Sequence, residues 1–220
     1  MNSIPDPRLA ALAAADSSVR LRAALAVGTD PWPGALDALL HRCAVEPDFF
    51  VRDMLTWALT RLPAGHTVPR LCAELGSGRA QARGQALHTL SKIGDRAAWP
   101  AITPALLHDA DTEVARSAWR AAVVLAPEQD RAALAAELAT GFARGDRETR
   151  LSLSRALVAL GEAAEPVLRA AADSVDPAVR AHASVTRRML DDPEAGFALA
   201  VDEAKRVAAL GPDRKESTEC

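Results

Sequence analysis

Six residues in the middle of the chain carry side chains suited to molecular recognition. They are Asp53, Trp57, His88, Arg116, Arg120 and Arg155. Arginine can bind a carboxylate or a phosphate through two parallel hydrogen bonds, and tryptophan offers a flat apolar face. Both residue types are enriched among the side chains that dominate binding energies at interfaces. The six residues would form a binding surface if the fold brought them to one face.

The sequence holds no motif that predicts catalysis or a metal site. A phosphate-binding glycine loop, an HExxH helix, a CxxC pair and a nucleophile elbow are all missing. The five histidines lie on different predicted helices, which favours satisfied or solvent-facing imidazoles over metal ligands. Cys43 and Cys72 fall on apolar helix positions, so they are predicted to be buried free thiols. These residues favour a non-catalytic protein with no metal and no cofactor over an enzyme.

The amino-acid composition favours a helical protein. Hydrophobic residues make up 49% of the 220 residues, but aromatic residues make up only 4% and tyrosine is absent. A core of such small side chains suits close helix–helix packing better than a β-sandwich or a barrel. The formal net charge is −3, with +1 in residues 1–110 and −4 in residues 111–220. Neither half has the positive excess expected of a general nucleic-acid binder.

Nothing in the sequence predicts a membrane location. The N-terminal residues MNSIPDPRLAALAAADSSVR lack a basic region followed by a long apolar run. No segment reaches the roughly 18 uncharged apolar residues of a membrane helix. The sequence therefore predicts a cytoplasmic protein with no membrane partner.

One short pattern recurs along the chain. An acidic residue is followed by three variable residues, an arginine, and an alanine- and leucine-rich segment. Complete copies are DSSVR, DFFVR, DRETR and DPAVR, and degenerate copies are RAQAR and DTEVA. If the last position of each copy is taken as the anchor, the anchors are residues 20, 52, 83, 115, 150 and 180, with spacings of 32, 31, 32, 35 and 30 residues. Such regular spacing is typical of a repeat protein.

Each copy predicts the start of a helix. The aspartate is an N-cap that accepts hydrogen bonds from the first free amides, and Pro177 stands at a first helical position that tolerates proline. A helix stop follows about eleven residues after the anchor, at Pro63, Gly94 or Gly161, whereas the first copy stops early, at Gly28. A second amphipathic segment fills the rest of each unit. Each unit is therefore predicted to be a helical hairpin.

This pattern resembles the HEAT repeat, in the short bacterial form that also occurs in phycobilisome-lyase-like proteins. The segment QARGQALHTLSKIGDRAAWPAITPALLHD, residues 81–109, is similar to the repeat consensus, and the resemblance covers residues 5–190. It implies an all-α fold, an α-solenoid of about six HEAT-type hairpins. We expect one solenoid domain over residues 1–210, ending in a helix formed by DPEAGFALAVDEAKRVAAL, and a disordered tail over residues 211–220.

The helical period assigns the two faces of each anchored helix. Positions one before and three, seven and ten after the anchor form an apolar stripe, which in the second copy comprises Val51, Leu55, Leu59 and Leu62. Positions one, five and eight after the anchor point the opposite way. In HEAT-like proteins this opposite face lines the concave side, as the resemblance implies. All six candidate residues occupy the first or fifth position, so we predict that they form one binding strip across adjacent repeats.

Two other interpretations of these residues stay open. The arginines of the strip could be a solvated helix face paired with nearby acids, and Trp57 could pack between neighbouring repeats. The anchors themselves recur beside an N-cap aspartate, which predicts structural Asp–Arg contacts between repeats. These anchors are Arg20, Arg52, Arg83, Arg150 and Arg180.

Three functions are compatible with a strip of this composition. The one that we favour is a protein-binding scaffold or regulatory adaptor. The second is a binder of nucleic acid or small anions through the arginines. The third is a DNA glycosylase, because some HEAT-like proteins remove alkylated purines with an aspartate, tryptophans and an arginine, a set that Asp53, Trp57 and Arg120 could mimic. A bilin-lyase role, which the same resemblance raises, has no supporting residue.

Overall fold

The fold is a succession of helices. The computed structural model describes residues 6–192, and within this range every regular element is helical. The α-helices are α1 (Pro7–Ala11), α2 (Ser17–Thr29), α3 (Leu36–Cys43), α4 (Phe49–Arg61), α5 (Ala64–Glu74), α6 (Ala80–Ile93), α7 (Pro104–Leu107), α8 (Thr112–Leu125), α9 (Arg131–Ala139), α10 (Arg147–Ala159), α11 (Glu165–Ala172) and α12 (Pro177–Asp191). Short 3-10 helices form at Pro33–Ala35, Arg96–Ala101, Glu128–Asp130 and Gly161–Ala164. The predicted terminal helix and the predicted tail lie outside the described residues.

The helices that carry the anchors pack side by side in chain order. Contacts join α2 to α4, α4 to α6, α6 to α8, α8 to α10 and α10 to α12. The intervening helices form hairpins with them, as α3 does with α4, α5 with α6 and α11 with α12. A row of stacked hairpins of this kind is an α-solenoid, so the predicted fold class is confirmed.

Local capping explains where the anchored helices begin and end. Aspartate side chains at positions 16, 48, 111, 146 and 176 accept hydrogen bonds from first-turn amides of α2, α4, α8, α10 and α12. At α6, Arg79 stands in the N-cap position and makes no side-chain cap. The C-cap of α6 is Gly94, whose φ of 71° is left-handed. The predicted stop at Gly28 is wrong, because α2 continues to Thr29 and Gly28 is buried inside it.

Leucine and alanine side chains fill the space between the helices. The predicted stripe on α4 is buried, with exposed fractions between 0% and 5% for Val51, Leu55, Leu59 and Leu62. Alanines that face neighbouring helices, such as Ala58, are fully buried. Small side chains at these contacts let adjacent helices approach closely, as the composition predicts.

Two of the anchor arginines, Arg20 and Arg83, connect successive units, but the capping aspartates are not their partners. Arg20 and Arg52 each donate to the two carbonyl groups five and six residues before them. Arg20 also forms a two-pronged contact with Glu46, and Arg83 forms one with Asp109. These two acids stand two residues before the next N-cap. The predicted Asp–Arg contact between repeats is therefore present at Arg83 and Asp109, whereas Arg20 pairs with a glutamate, and in both cases the acid is not the N-cap aspartate itself.

Candidate binding groove

A groove of about 490 Å³ crosses three consecutive anchored helices, α4, α6 and α8. Its walls include Asp53 from α4, His88 from α6 and Arg120 from α8. These residues stand at the first or fifth position after their anchors, on helices that pack side by side. Three of the six predicted residues therefore meet in one recess, whose volume is within the usual range of ligand pockets.

His88 lies within electrostatic reach of Asp53 and Arg120, two charged residues of the groove. Burial lowers the pKa of its imidazole, Lys92 and Arg120 lower it further, and Asp53 opposes the shift. The ring is therefore neutral near neutral pH. A neutral imidazole offers a ligand one N–H donor and one acceptor nitrogen.

Arg120 and Asp53 contribute charges that are available to a ligand. Nη2 of Arg120 donates to Ser117 Oγ at 2.9 Å, but within residues 6–192 neither Arg120 nor Asp53 has an oppositely charged group within 4.0 Å. Burial lowers the pKa of Arg120, Arg116 lowers it further, and Glu113 opposes the shift. Arg120 is exposed at the wall of the groove, so its guanidinium is available for charge-assisted hydrogen bonds with an anionic ligand group.

The other two predicted arginines lie outside the groove. Arg116 donates to Glu113 and to Glu148, each at 2.7 Å, and its side chain is only 15% exposed. It therefore links α8 to α10. This agrees with the alternative interpretation, in which the arginines of the strip are paired with nearby acidic residues. Arg155 is exposed on α10 and does not line the groove. A binding role for either residue stays a prediction.

Trp57 packs between neighbouring repeats. Its ring lies against Gly28 of α2, where a methyl group built on the glycine would come within 2.5 Å of Trp57 Cε3 and 3.0 Å of Ala58 Cα. The tryptophan is still 37% exposed. The ring therefore contributes to packing, while its accessible edge remains available on the predicted strip.

An exposed phenylalanine, Phe49, lines the groove next to a second one, Phe50, and neither is among the predicted residues. Phe49 lines it and is 65% exposed, and Phe50 is 71% exposed. Their rings meet edge to face with centroids 5.6 Å apart. The signal for them is in the repeat pattern: the two positions after the N-cap hold SS, AQ, TE, RE and PA in the other copies, but FF in the second. Aromatic residues at a position that is otherwise small or polar indicate a local function.

A second groove, of about 440 Å³, lies between α10 and α12 and contains a serine–histidine contact. Ser154 Oγ lies 3.0 Å from Nε2 of His182. The amide of Ala143 donates to Nδ1 at 3.0 Å, so the ring proton is on Nε2, which also faces the Arg150 carbonyl at 3.0 Å. A protonated Nε2 cannot take the serine proton. The contact is therefore structural and is not a nucleophile–base pair.

This buried histidine predicts a pH-dependent stability. Burial lowers the pKa of His182, the Arg150 carbonyl opposes the shift, and the Arg150 guanidinium adds to it. Below the unfolded pKa of about 6.5 the unfolded chain takes up a proton before the folded chain does, so the free energy of unfolding falls as the pH is lowered. Urea unfolding at about pH 7.5 and about pH 5.5 should show this loss, and His182→Gln should reduce it. An equal loss in both proteins would contradict the prediction.

Residues 6–192 were also searched for a metal site, a reactive thiol and a membrane-spanning helix. Residues 6–192 hold no cluster of three or more His, Cys, Asp or Glu side chains that could bind a metal ion. Burial raises the pKa of the Cys43 thiol to about 12, with a further contribution from Glu46, and burial also raises the pKa of Cys72. Thiols with raised pKa values are poor nucleophiles. None of the described helices is both long and apolar enough to cross a membrane.

The comparison with known proteins finds solved structures that are similar to this chain in fold. No family model matches the chain, and no curated protein matches its sequence. Two engineered proteins are similar in structure, at 20% and 17% identity with TM-scores of 0.46 and 0.49, and each comparison covers 86% of this chain and 96% or 98% of the other. The complex of CpcE and CpcF of phycocyanin lyase from a Nostoc species is similar at 20% identity and a TM-score of 0.48, covering 86% of this chain and 78% of that chain. Identities and TM-scores this low carry no argument about function.

Proposed function

We propose that this chain is a non-catalytic binding scaffold that holds a protein partner on the concave face of its solenoid. The observation that supports the proposal is the groove across α4, α6 and α8, where the exposed ring of Phe49 and the charges of Asp53 and Arg120 border one recess. Protein interfaces combine aromatic anchors with charged groups that the partner completes. Along the same face, Trp57 and Arg155 extend the surface that a partner would cover.

Nucleic-acid binding, the alternative function, receives less support. The groove is lined by two arginines, Arg52 and Arg120, and by three carboxylates, those of Asp53, Asp111 and Glu113, so it lacks the positive excess that would attract a polyanion. A glycosylase site would need Trp57 beside Asp53 and Arg120. The ring of Trp57 instead packs on Gly28.

Reversal of the groove charge tests the proposal. The wild-type chain and Arg120→Glu would be used as affinity baits in an extract of the source organism, and captured proteins would be quantified by mass spectrometry. We expect Arg120→Glu to reduce capture of a specific protein by about 30-fold or more, since loss of an interface hot spot costs about 2 kcal/mol or more. The captured protein would then be purified and its affinity for both baits measured directly.

A matched control separates the groove from general charge effects. Arg70 pairs with Asp37 at 2.6 Å on the outer helices, and its side chain is 50% exposed. Arg70→Glu makes the same charge change outside the groove and should leave capture unchanged. Equal capture by wild type and Arg120→Glu would contradict the proposal. Capture that disappears after nuclease treatment of the extract would instead favour the nucleic-acid alternative.

A further inference from the structure

Gly84 has no structural reason to be a glycine. It lies inside α6, where glycine is among the least favourable residues, and its φ is not left-handed. A Cβ built on it would meet only Val114 Cγ2 among the described atoms, at an ordinary contact distance of 3.9 Å. The fold would therefore accept alanine at this position.

The missing side chain of Gly84 keeps the groove open. Gly84 lines the groove between the residues of α4 and those of α8. The comparison with Gly28 is informative, because Gly28 is also helical but its free space is filled by the ring of Trp57. In the described part of the protein, no side chain fills the corresponding space above Gly84. A group from another molecule would fill it.

The charges of the groove determine what kind of group fits. Asp111 caps α8 and Glu113 pairs with Arg116, so both are engaged within the protein. Arg52 also lines the groove, but its Nη1 donates to the carbonyl groups of Glu46 and Pro47. Arg120 and Asp53 remain, on opposite walls formed by α8 and α4. A single carboxylate would satisfy Arg120, whereas a phosphate chain would bring excess negative charge close to Asp53. A polypeptide also supplies N–H donors for Asp53.

One further group favours a peptide over a small anion. Phe49, at the edge of the groove, offers an exposed aromatic surface for an apolar side chain.

We propose that the groove binds an extended peptide segment of the partner protein, with a carboxylate of the peptide on Arg120, its backbone over Gly84 and an apolar side chain against Phe49. This inference rests on the proposed function and specifies the class of partner. The carboxylate belongs either to an aspartate or glutamate side chain or to the end of the peptide chain, since both present the same group to Arg120.

Peptide display tests the proposal without knowledge of the partner. The purified full chain would be used to select from random peptides of about twelve residues, displayed in one format with a blocked C-terminus and in another with a free C-terminus. We expect enrichment of an acidic residue close to an aromatic or aliphatic residue in the first format, or of an apolar C-terminal residue in the second. The format that yields binders identifies the source of the carboxylate.

Variants then locate the binding site of an enriched, fluorescently labelled peptide. Gly84→Leu and Arg120→Gln should each weaken binding by about 10-fold or more, which fluorescence anisotropy would measure. Gly65→Leu is the matched control, because Gly65 also lies in a helix, α5, and a Cβ there has open space. Removing the peptide carboxylate should weaken binding to the wild type but not to Arg120→Gln. Gly84→Ala provides a milder change that keeps the helix and should still reduce affinity at an unchanged or higher melting temperature.

Three outcomes would overturn the inference. The first is that selection yields no peptide whose binding depends on Gly84 and Arg120. If capture of a protein partner still depends on Arg120 in that case, the proposed function stands and the partner binds as a folded surface. The second is that a peptide binds equally well without its carboxylate. The third is that a single-stranded oligonucleotide binds the groove more tightly than any selected peptide.

Discussion

Replacement of Glu46 by alanine is expected to lower the free energy of unfolding by about 3 kcal/mol, because it leaves a buried arginine without its counter-charge. The Glu46 side chain has an exposed fraction of 0%, and that of Arg20 is 7%. Glu46 accepts two hydrogen bonds from Arg20 and one from Arg42, all at 2.7 Å, and one from the amide of Asp48 at 2.9 Å. Its carboxylate therefore joins the first repeat to the start of α4.

The pKa of Glu46 reflects the strength of this arrangement. Burial alone would raise it, but hydrogen bonds from Arg20, the Asp48 amide and Arg42 outweigh burial and lower the pKa to about 2. The carboxylate stays charged throughout the pH range in which the protein would be studied. Removal of this side chain therefore lowers the free energy of unfolding through the loss of a charge and of four hydrogen bonds together.

Urea unfolding of Glu46→Ala measures the effect, and Asp37→Ala is the control. Asp37 pairs with Arg70 at a comparable distance of 2.6 Å, but both side chains are at least half exposed. Exposed pairs contribute less than about 1 kcal/mol, so Asp37→Ala should change the midpoint little. A loss below about 1 kcal/mol for Glu46→Ala would show that the Arg20–Glu46 contact does not stabilise the fold.

Gly28→Ala is expected to lower the free energy of unfolding by about 2–3 kcal/mol, the upper range for overpacking a core. The added methyl group would come within 2.5 Å of Trp57 Cε3 and 3.0 Å of Ala58 Cα. The clash involves a rigid ring and a helix backbone, so no small side-chain movement relieves it. The substitution would force α2 and α4 apart or turn Trp57 out into solvent.

A double variant identifies the cause of that loss. Trp57→Ala removes the ring, so Gly28→Ala should cost less in the Trp57→Ala background than in the wild type, as urea unfolding of the four proteins would show. Gly65→Ala is the control, since no described atom lies within 4 Å of a Cβ built there. If Gly28→Ala unfolds at the wild-type urea concentration, Trp57 does not occupy the space over Gly28.

The fold was predictable because its signals are local. An aspartate N-cap acts on amides two or three residues away, and a helix stop such as Gly94 acts within one turn. A stripe of leucines needs only the helical period to be recognised. Repetition of these signals about every thirty residues then indicates stacked hairpins, whatever the identity of the individual side chains.

The candidate site was predictable only in part. The helical period places Asp53, His88 and Arg120 on corresponding faces, and the packing of α4, α6 and α8 brings them into one groove. The helical period does not show whether an arginine on that face is paired with an acidic side chain of another helix. Arg116 is assigned to the same face by the helical period, but Glu148, 32 residues further along the chain, contacts it from the first turn of α10.

The sequence by itself determined the helices, their order and the face on which each recognition residue stands, since these depend on contacts within a few residues. The tertiary structure decided which of those residues remain available. Trp57 packs on Gly28, Arg116 is paired with two glutamates, and Arg120 stays open to a ligand because of which side chains the adjacent helices place beside each of them. The space above Gly84 is likewise invisible in the sequence, because a cavity is defined by the distance between helices and not by the glycine alone.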